Sequence, residues 1–165
     1  MTGSGRSNTP PAGATWGDLA QGDEESPKVA ERTKTRRWIV ELLRWSSALF
    51  LLSTLAQAVL AGLFVTGEVD LLMWHDVNAQ INSSVLLVVL LATILLWRPA
   101  RASSWPFWIT LALVTIVEIQ KTLGYLRSVS FHIILGVLIF GMASVLTWWA
   151  FGYQLPPQRA KARKK

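Results

Sequence analysis

Residues 75–97 read HDVNAQINSSVLLVVLLATILLW, a polar beginning followed by an unbroken apolar run, and this stretch decides the fold. Its apolar part, Val85 to Trp97, is too short to cross a hydrocarbon core of about 30 Å, which needs about 20 helical residues. The full stretch is long enough. It therefore predicts a membrane-spanning helix in which part of the polar face turns inward, because lipid does not solvate such side chains.

Three more apolar segments of similar length accompany this one. They are residues 45–65, 105–125 and 131–153, and each is long enough to span a bilayer. The breaks between the four segments are short and contain Gly, Pro and Ser, and short connections make consecutive spans antiparallel. We therefore predict an all-α membrane protein, a four-transmembrane-helix up-down-up-down bundle that occupies residues 38–153.

The composition supports a membrane protein and excludes most soluble enzymes. Of the 165 residues, 52% are hydrophobic and 16% are charged, whereas soluble domains have about 25% charged residues. Residues 1–37 are rich in Gly, Ser, Pro and charged side chains, which predicts a disordered N-terminal tail and no secretory signal. Residues 154–165 form a short basic tail.

Basic residues collect on one side of the predicted spans. They precede the first span, lie between the second and third, and close the chain, while the loop after the first span is acidic. Because Lys and Arg are enriched in cytoplasmic loops, we expect both termini in the cytoplasm and the chain in the plasma membrane, in a bacterial style of protein. We expect the net charge of +6 to serve contact with anionic lipid headgroups and not the binding of nucleic acid.

Because the chain has no cysteine, we expect histidine to bind any metal. The lack of cysteine excludes disulfides, thiolate zinc sites, iron–sulfur clusters and c-type haem attachment. The two histidines, His75 and His132, begin the second and fourth spans, which run parallel on a diagonal of the bundle. That diagonal is roughly 14 Å when neighbouring axes are ~10 Å apart. Two imidazoles that each place iron about 6 to 7 Å from the backbone would span it.

The residues around the histidines fit a b-type haem. A small residue follows each histidine by four positions, and glycines stand near the outer ends of the first and third spans, which leaves room for a flat macrocycle. Two basic residues on the outer side are suited to haem propionates. We predict haem b with iron held by the two histidines. The predicted cofactor-binding residues are His75, His132, Gly62, Ala79, Gly124, Gly136, Lys121 and Arg127.

Polar residues near this site have a second interpretation. Asn78 and Asn82 share the face of His75 and are candidates to hydrogen-bond its second nitrogen, but lone amides more often hold helices together. Glu118 and Lys121 are three positions apart and are expected to pair.

Other interpretations of the whole chain stay open. Either histidine alone is more often a polar residue at the membrane interface, and copper would need a third strong ligand. The alternative function is a cofactor-free membrane scaffold or an accessory subunit of a larger membrane complex. A small transporter or channel has less support, because four spans with a few amides form a narrow pathway.

The chain contains two similar helix-pair units. AQAVLAG at 56–62 precedes His75, and IQKTLG at 119–124 precedes FHIILG at 131–136. A Gln…Gly helix followed by a histidine-headed helix is similar to one four-helix half of the haem A synthase family, and more loosely to b561-type membrane cytochromes. The resemblance covers about residues 45–153 and implies that histidines on parallel helices ligate haem.

The departures from these families narrow what the resemblance implies. There is one half instead of two, no cysteine pair, and Asp76 follows His75 where the family has a His-Arg pair. A b561-type protein carries two haems on four histidines, whereas this chain has two histidines. The resemblance therefore implies a single-haem electron carrier or a subunit of a redox complex, with electron transfer instead of substrate turnover and with a redox partner or other membrane subunits.

Overall fold

The structure, a computed structural model, describes residues 27–98 and 103–155, and these form helices joined by short turns. The helices are α1 (Pro27–Val65), α2 (Leu71–Trp97), α3 (Trp105–Tyr125) and α4 (Val129–Gly152). All four are long and apolar enough to cross a membrane. The prediction of an all-α protein with four helices long and apolar enough to span a membrane is confirmed for the described residues, and those from Thr35 onward belong to one compact unit.

The helix boundaries differ from the prediction mainly at the starts. Helix α1 begins at Pro27, so residues 27–37, which we assigned to the disordered tail, are helical. Proline is favoured in the first turn of a helix, and no further Gly or Pro interrupts the sequence before Gly62. Residues 1–26, 99–102 and 156–165, with the rest of both predicted tails, lie outside the described residues.

The same type of turn ends α1 and α3. The Glu68 N–H donates to the Leu63 carbonyl at 3.2 Å, and the Ser128 N–H donates to the Leu123 carbonyl at 2.9 Å. Each turn contains one residue with positive φ, Gly67 at 119° and Arg127 at 58°. This closure lets the next helix start after a few residues, which is why α2 and α4 begin four and two residues before their predicted starts at 75 and 131.

The four helices contact one another in a closed ring, α1 to α2 to α3 to α4 and back to α1, which places α2 across from α4. One hydrogen bond from each neighbouring pair shows the order, and each joins side chains or a side chain and a carbonyl. These bonds are Ser53 to Asn78 at 3.0 Å, Ser83 to Glu118 at 2.8 Å, Gln120 to the His132 carbonyl at 3.4 Å and Thr147 to the Ser47 carbonyl at 3.1 Å.

The packed apolar core occupies one end of this ring, which we call the aromatic end. Trp97 stacks on Phe107 with centroids 5.0 Å apart, and Trp105 meets Trp149 edge-on at 5.0 Å. Next to these rings lies a continuous apolar core that draws residues from all four helices. Its fully buried large side chains are Leu43, Phe50, Leu86, Val89, Leu96, Leu113 and Leu146.

The opposite end, which we call the histidine end, has no such core. Residues 55–81 and 118–138, which are all described, contain no buried side chain. The packed layers stop at the level of Thr54, Asn82 and Val117. His75 is seven residues beyond Asn82 along α2, about 10 Å at a helical rise of 1.5 Å per residue. The side chains around the histidines are therefore more exposed than those toward the aromatic end.

Candidate metal or haem site at the histidine end

His75 and His132 meet at the histidine end. They come from α2 and α4, the two helices that face each other across the ring. Their ring centroids lie 6.1 Å apart, with the ring planes inclined at 53°. Both rings are half-buried. The structure thus brings together the two residues that the sequence indicated as a pair.

The separation of the two rings matches coordination from opposite sides of one ion. A bond of about 2.0 Å from metal to imidazole nitrogen, plus about 1.2 Å from that nitrogen to the centroid, gives about 6.4 Å for two rings on either side. The observed centroid distance is 6.1 Å. Among the described residues there is no group of three or more His, Asp or Glu side chains that could hold a metal ion. A porphyrin brings four nitrogens of its own and needs only two axial ligands.

The main chain of α3 sets the orientation of the His132 ring. Nδ1 of His132 lies 2.8 Å from the backbone carbonyl oxygen of Gln120. A carbonyl only accepts hydrogen bonds, so the neutral ring carries its proton on Nδ1 and keeps the lone pair on Nε2. The side chain of Gln120 adds a second link, because its amide donates to the His132 carbonyl at 3.4 Å.

The first half of the chain repeats one of these two contacts, the one between the glutamine side chain and the histidine carbonyl. The Gln57 amide on α1 donates to the His75 carbonyl at 2.9 Å. Nδ1 of His75, however, is buried and makes no hydrogen bond. An unpaired buried nitrogen is costly, so the His75 ring has a polar atom that gains from a small shift toward a partner.

Two of the predicted glycines lie against the histidine and glutamine themselves. A Cβ on Gly124 would come within 3.1 Å of Cε1 and Nδ1 of His132, and a Cβ on Gly136 would come within 2.9 Å of the Gln120 amide nitrogen. Both glycines therefore allow close contact between α3 and α4. Gly62 has no side chain or neighbouring helix within 4 Å of its Cβ position, and Ala79 is half-buried one turn beyond His75.

Comparison of the chain with protein-family models, with curated proteins and with solved structures finds no match.

The two basic residues predicted to bind propionates lie in different surroundings. Lys121 pairs with Glu118 at 3.1 Å, as predicted, and its ammonium also donates to Ser83 at 3.1 Å and to Gln80 at 3.2 Å. Arg127 lies in the turn between α3 and α4, where it is exposed. The Lys121 charge is thus already engaged between α2 and α3, whereas Arg127 is at the rim of the histidine end.

A row of polar side chains, which we call the polar ladder, joins α2 to α3. Besides the Lys121 contacts, Ser83 donates to Glu118 at 2.8 Å and Tyr125 donates to Asp76 at 2.6 Å. The Glu118 side chain is 54% exposed, so the ladder faces the outside of the bundle. Its members are Asp76, Gln80, Ser83, Glu118, Lys121 and Tyr125.

A second polar cluster joins α1 to α2. Asn78 donates to the Ser53 carbonyl at 2.9 Å and to the Gln57 side-chain oxygen at 2.5 Å. We expected Asn78 to reach the second nitrogen of His75 or to hold helices together, and the structure shows the second role. Asn82 is buried, and its side-chain oxygen makes no hydrogen bond.

Sequence reasoning singled out the two glutamines as part of a repeat but did not assign them a contact. The signal was their position, 18 residues before His75 and 12 residues before His132, on the preceding helix in each case. The role of the backbone carbonyl of Gln120 leaves no trace in residue type, because every residue offers a carbonyl.

Proposed function

We propose that this chain is an integral-membrane b-type cytochrome that holds one haem between His75 and His132 and carries electrons, alone or as a subunit of a respiratory or redox complex. The observation that carries the proposal is the meeting of two imidazoles from opposite helices, with ring centroids 6.1 Å apart. They meet at the end of the bundle that contains no buried side chain.

Three features of the site support haem as the ligand. The ring separation agrees with two axial ligands on one iron, and the His132 hydrogen bond to Gln120 leaves Nε2 available as a ligand. A large flat group with apolar edges would also fill the end of the bundle where packing is incomplete.

The residues of the chain have separate tasks in this proposal. Bound haem supplies one-electron oxidation and reduction of iron. The two imidazoles would hold it, and the contact between Nδ1 of His132 and the Gln120 carbonyl would fix how that imidazole is turned. Coordination by both histidines would leave no open position for a substrate, which is why we propose electron transfer and not turnover. Arg127 is placed at the rim to meet a propionate.

We propose that the bundle lies in a plasma membrane in up-down-up-down order, with both termini in the cytoplasm and the histidine end outside. The hydrogen bonds around the ring pair increasing residue numbers on one helix with decreasing numbers on the next, as in Ser53 with Asn78 and Gln57 with His75. Described basic residues such as Arg44 and Arg98 lie at the aromatic end, and the turn after α1 carries Glu68 and Asp70.

An absorption spectrum of the purified chain tests the haem proposal. Oxidised and dithionite-reduced spectra should show a sharp low-spin α-band with about one haem per chain, as a bis-histidine iron requires. His75→Ala and His132→Ala should each abolish this band. Gln80→Ala is the control and should keep the band, because the Gln80 side chain contacts Tyr125 and Lys121 in the polar ladder and neither histidine. A chain that stays colourless when expressed with ample haem contradicts the proposal.

A second candidate, an accessory subunit without cofactor, is favoured by the polar ladder. An acidic side chain that is 54% exposed within a membrane-spanning helix is unfavourable next to lipid, and a neighbouring subunit would shield it. In that case both histidine variants should leave colour, helix content and folding unchanged. Loss of a stoichiometric partner from the Glu118→Leu variant, but not from His75→Ala, would support this candidate.

A further inference from the structure

The two halves of the chain share one contact between a glutamine and a histidine. In each half, a glutamine on one helix donates from its side-chain amide to the backbone carbonyl of the histidine on the next helix, at 2.9 Å in the first half and 3.4 Å in the second. In the second half the same glutamine also meets the ring, because the Gln120 carbonyl oxygen lies 2.8 Å from Nδ1 of His132. Gln120 therefore contacts both the backbone and the ring of His132.

We infer that Gln120 is a positioning residue that fixes the tautomer and direction of the His132 ring, and that Gln57 positions the backbone at His75. This inference rests on the proposed function for the meaning of the ring direction, while the hydrogen bonds themselves do not depend on haem. The hydrogen bond from the glutamine side chain links neighbouring helices at the level of the histidine. In the second half the Gln120 carbonyl then lies beside Nδ1 of His132, which leaves the lone pair on Nε2.

The second half shows why the side chain matters as well as the carbonyl. The Gln120 carbonyl lies 2.8 Å from Nδ1 of His132, a distance that holds only while α3 and α4 keep their register. Gly124 and Gly136 allow this close approach, since a Cβ at either position would come within 3.1 Å of the ring or of the Gln120 amide nitrogen. The Gln120 amide is the polar link that keeps the two helices at that level.

The first half uses a different support for its glutamine. Asn78 donates to the Gln57 side-chain oxygen, and Ser53 in turn donates to Asn78. The Gln57 amide is therefore held at its oxygen and at its nitrogen, although Nδ1 of His75 has no hydrogen bond.

Nitrogen NMR of the full chain, labelled at histidine and prepared without haem, tests the inference directly. His132 should carry its proton on Nδ1. Gln120→Met keeps the volume and removes the amide donor, so the Nδ1-protonated form of His132 should give way to a mixture of tautomers. Gln80→Met is the matched control, since Gln80 is an amide on α2 that contacts Tyr125 and Lys121 and neither histidine.

The haem-loaded chain gives a second readout. Loss of a residue that orients a ligating histidine typically weakens binding about 10- to 100-fold. Gln57→Met and Gln120→Met should lose haem faster by such a factor and should bind carbon monoxide when reduced, because a loosened histidine vacates iron. Gln80→Met should do neither. If Gln120→Met fails to fold, Gly136→Ala can take its place, because it displaces the Gln120 amide without removing it. It should show the same changes in haem loss and carbon monoxide binding, to a smaller extent.

The results separate this inference from the proposed function. The positioning role is overturned, even if haem binds, when His132 is protonated on Nε2 or when Gln120→Met has the same His132 tautomer as Gln80→Met. A second outcome is that His132 is protonated on Nδ1, that Gln120→Met loses this preference, and that the chain takes up no haem. This outcome leaves the positioning role intact and overturns the cytochrome proposal.

Discussion

Gly124 shows at the residue scale how little space surrounds the His132 ring. A methyl group there would approach Cε1 and Nδ1 of the ring to 3.1 Å, so Gly124→Ala should turn the ring away from the Gln120 carbonyl. Overpacking of this kind costs about 1–3 kcal/mol, more than the roughly 1 kcal/mol that Ala gains over Gly in a helix. We expect a lower free energy of unfolding and weaker haem retention, measured by denaturation in detergent and by the reduced spectrum.

The control for this substitution is Gly141→Ala on α4. No atom outside its own helix lies within 4 Å of that Cβ position, so the variant should keep the spectrum and gain up to about 1 kcal/mol of stability from helix propensity. Equal effects of the two substitutions would show that contact with the His132 ring is not what constrains Gly124.

The residue types at this site were predictable, but their contacts were only partly so. The two histidines were indicated by their equal place in parallel spans, and the structure brings them within 6.1 Å. The glycines were expected to make room for a ligand, whereas Gly124 and Gly136 make room for His132 and Gln120. Sequence spacing places a residue on a helix face, but it does not determine which neighbour occupies the space in front of it.

At the scale of helices, Arg44 on α1 caps the end of α4. Its guanidinium donates to the carbonyls of Ala150, Phe151 and Tyr153, at 3.0, 3.4 and 2.9 Å. The last carbonyls of a helix lack partners within the helix, and a cation at that end also interacts favourably with the helix dipole. Arg44 also pairs with Glu41, three positions earlier on α1, at 2.8 Å. That spacing is typical of an ion pair on one helix, whereas nothing in the sequence indicated the contact with α4.

Loss of this cap should destabilise the bundle measurably. Hydrogen bonds to a charged group contribute about 1.5–3 kcal/mol, so Arg44→Met should lower the free energy of unfolding by about that amount. Glu41→Gln removes only a partly exposed pair and should cost less than about 1 kcal/mol. Thermal denaturation in detergent, followed by circular dichroism, measures both. A Glu41→Gln effect as large as that of Arg44→Met would assign the stabilisation to the ion pair instead of the cap.

Helix ends were predictable where turn chemistry is strong. The ends at Val65, Trp97 and Tyr125 agree with the predicted spans because Gly67 or Pro99 follows, or because the chain turns at Arg127. The starts of α1, α2 and α4 were predicted too late. Residues 71–74 and 129–130 are already helical, because the turns that end α1 and α3 close within a few residues.

At the scale of the whole molecule, packing is uneven along the bundle. The buried large side chains lie from the middle of the helices toward the aromatic end, whereas residues 55–81 and 118–138 contain no buried side chain. Hydropathy could not show this difference, because lipid-facing and core-facing residues in a membrane helix are equally apolar. The stable part of the bundle is therefore expected at the aromatic end, and the histidine end is the part that gains most from a bound ligand.

The lack of cysteine makes the membrane orientation directly testable. A single cysteine at Glu68 reports on the histidine end, and single cysteines at Ser103 and Gln154 report on the aromatic end; all three positions are exposed. Since basic residues mark the cytoplasmic side, a membrane-impermeant thiol reagent should label Glu68→Cys in intact cells. It should label Ser103→Cys and Gln154→Cys only after permeabilisation. The reverse pattern would place the histidines on the cytoplasmic side, and different sides for positions 103 and 154 would contradict the up-down-up-down order.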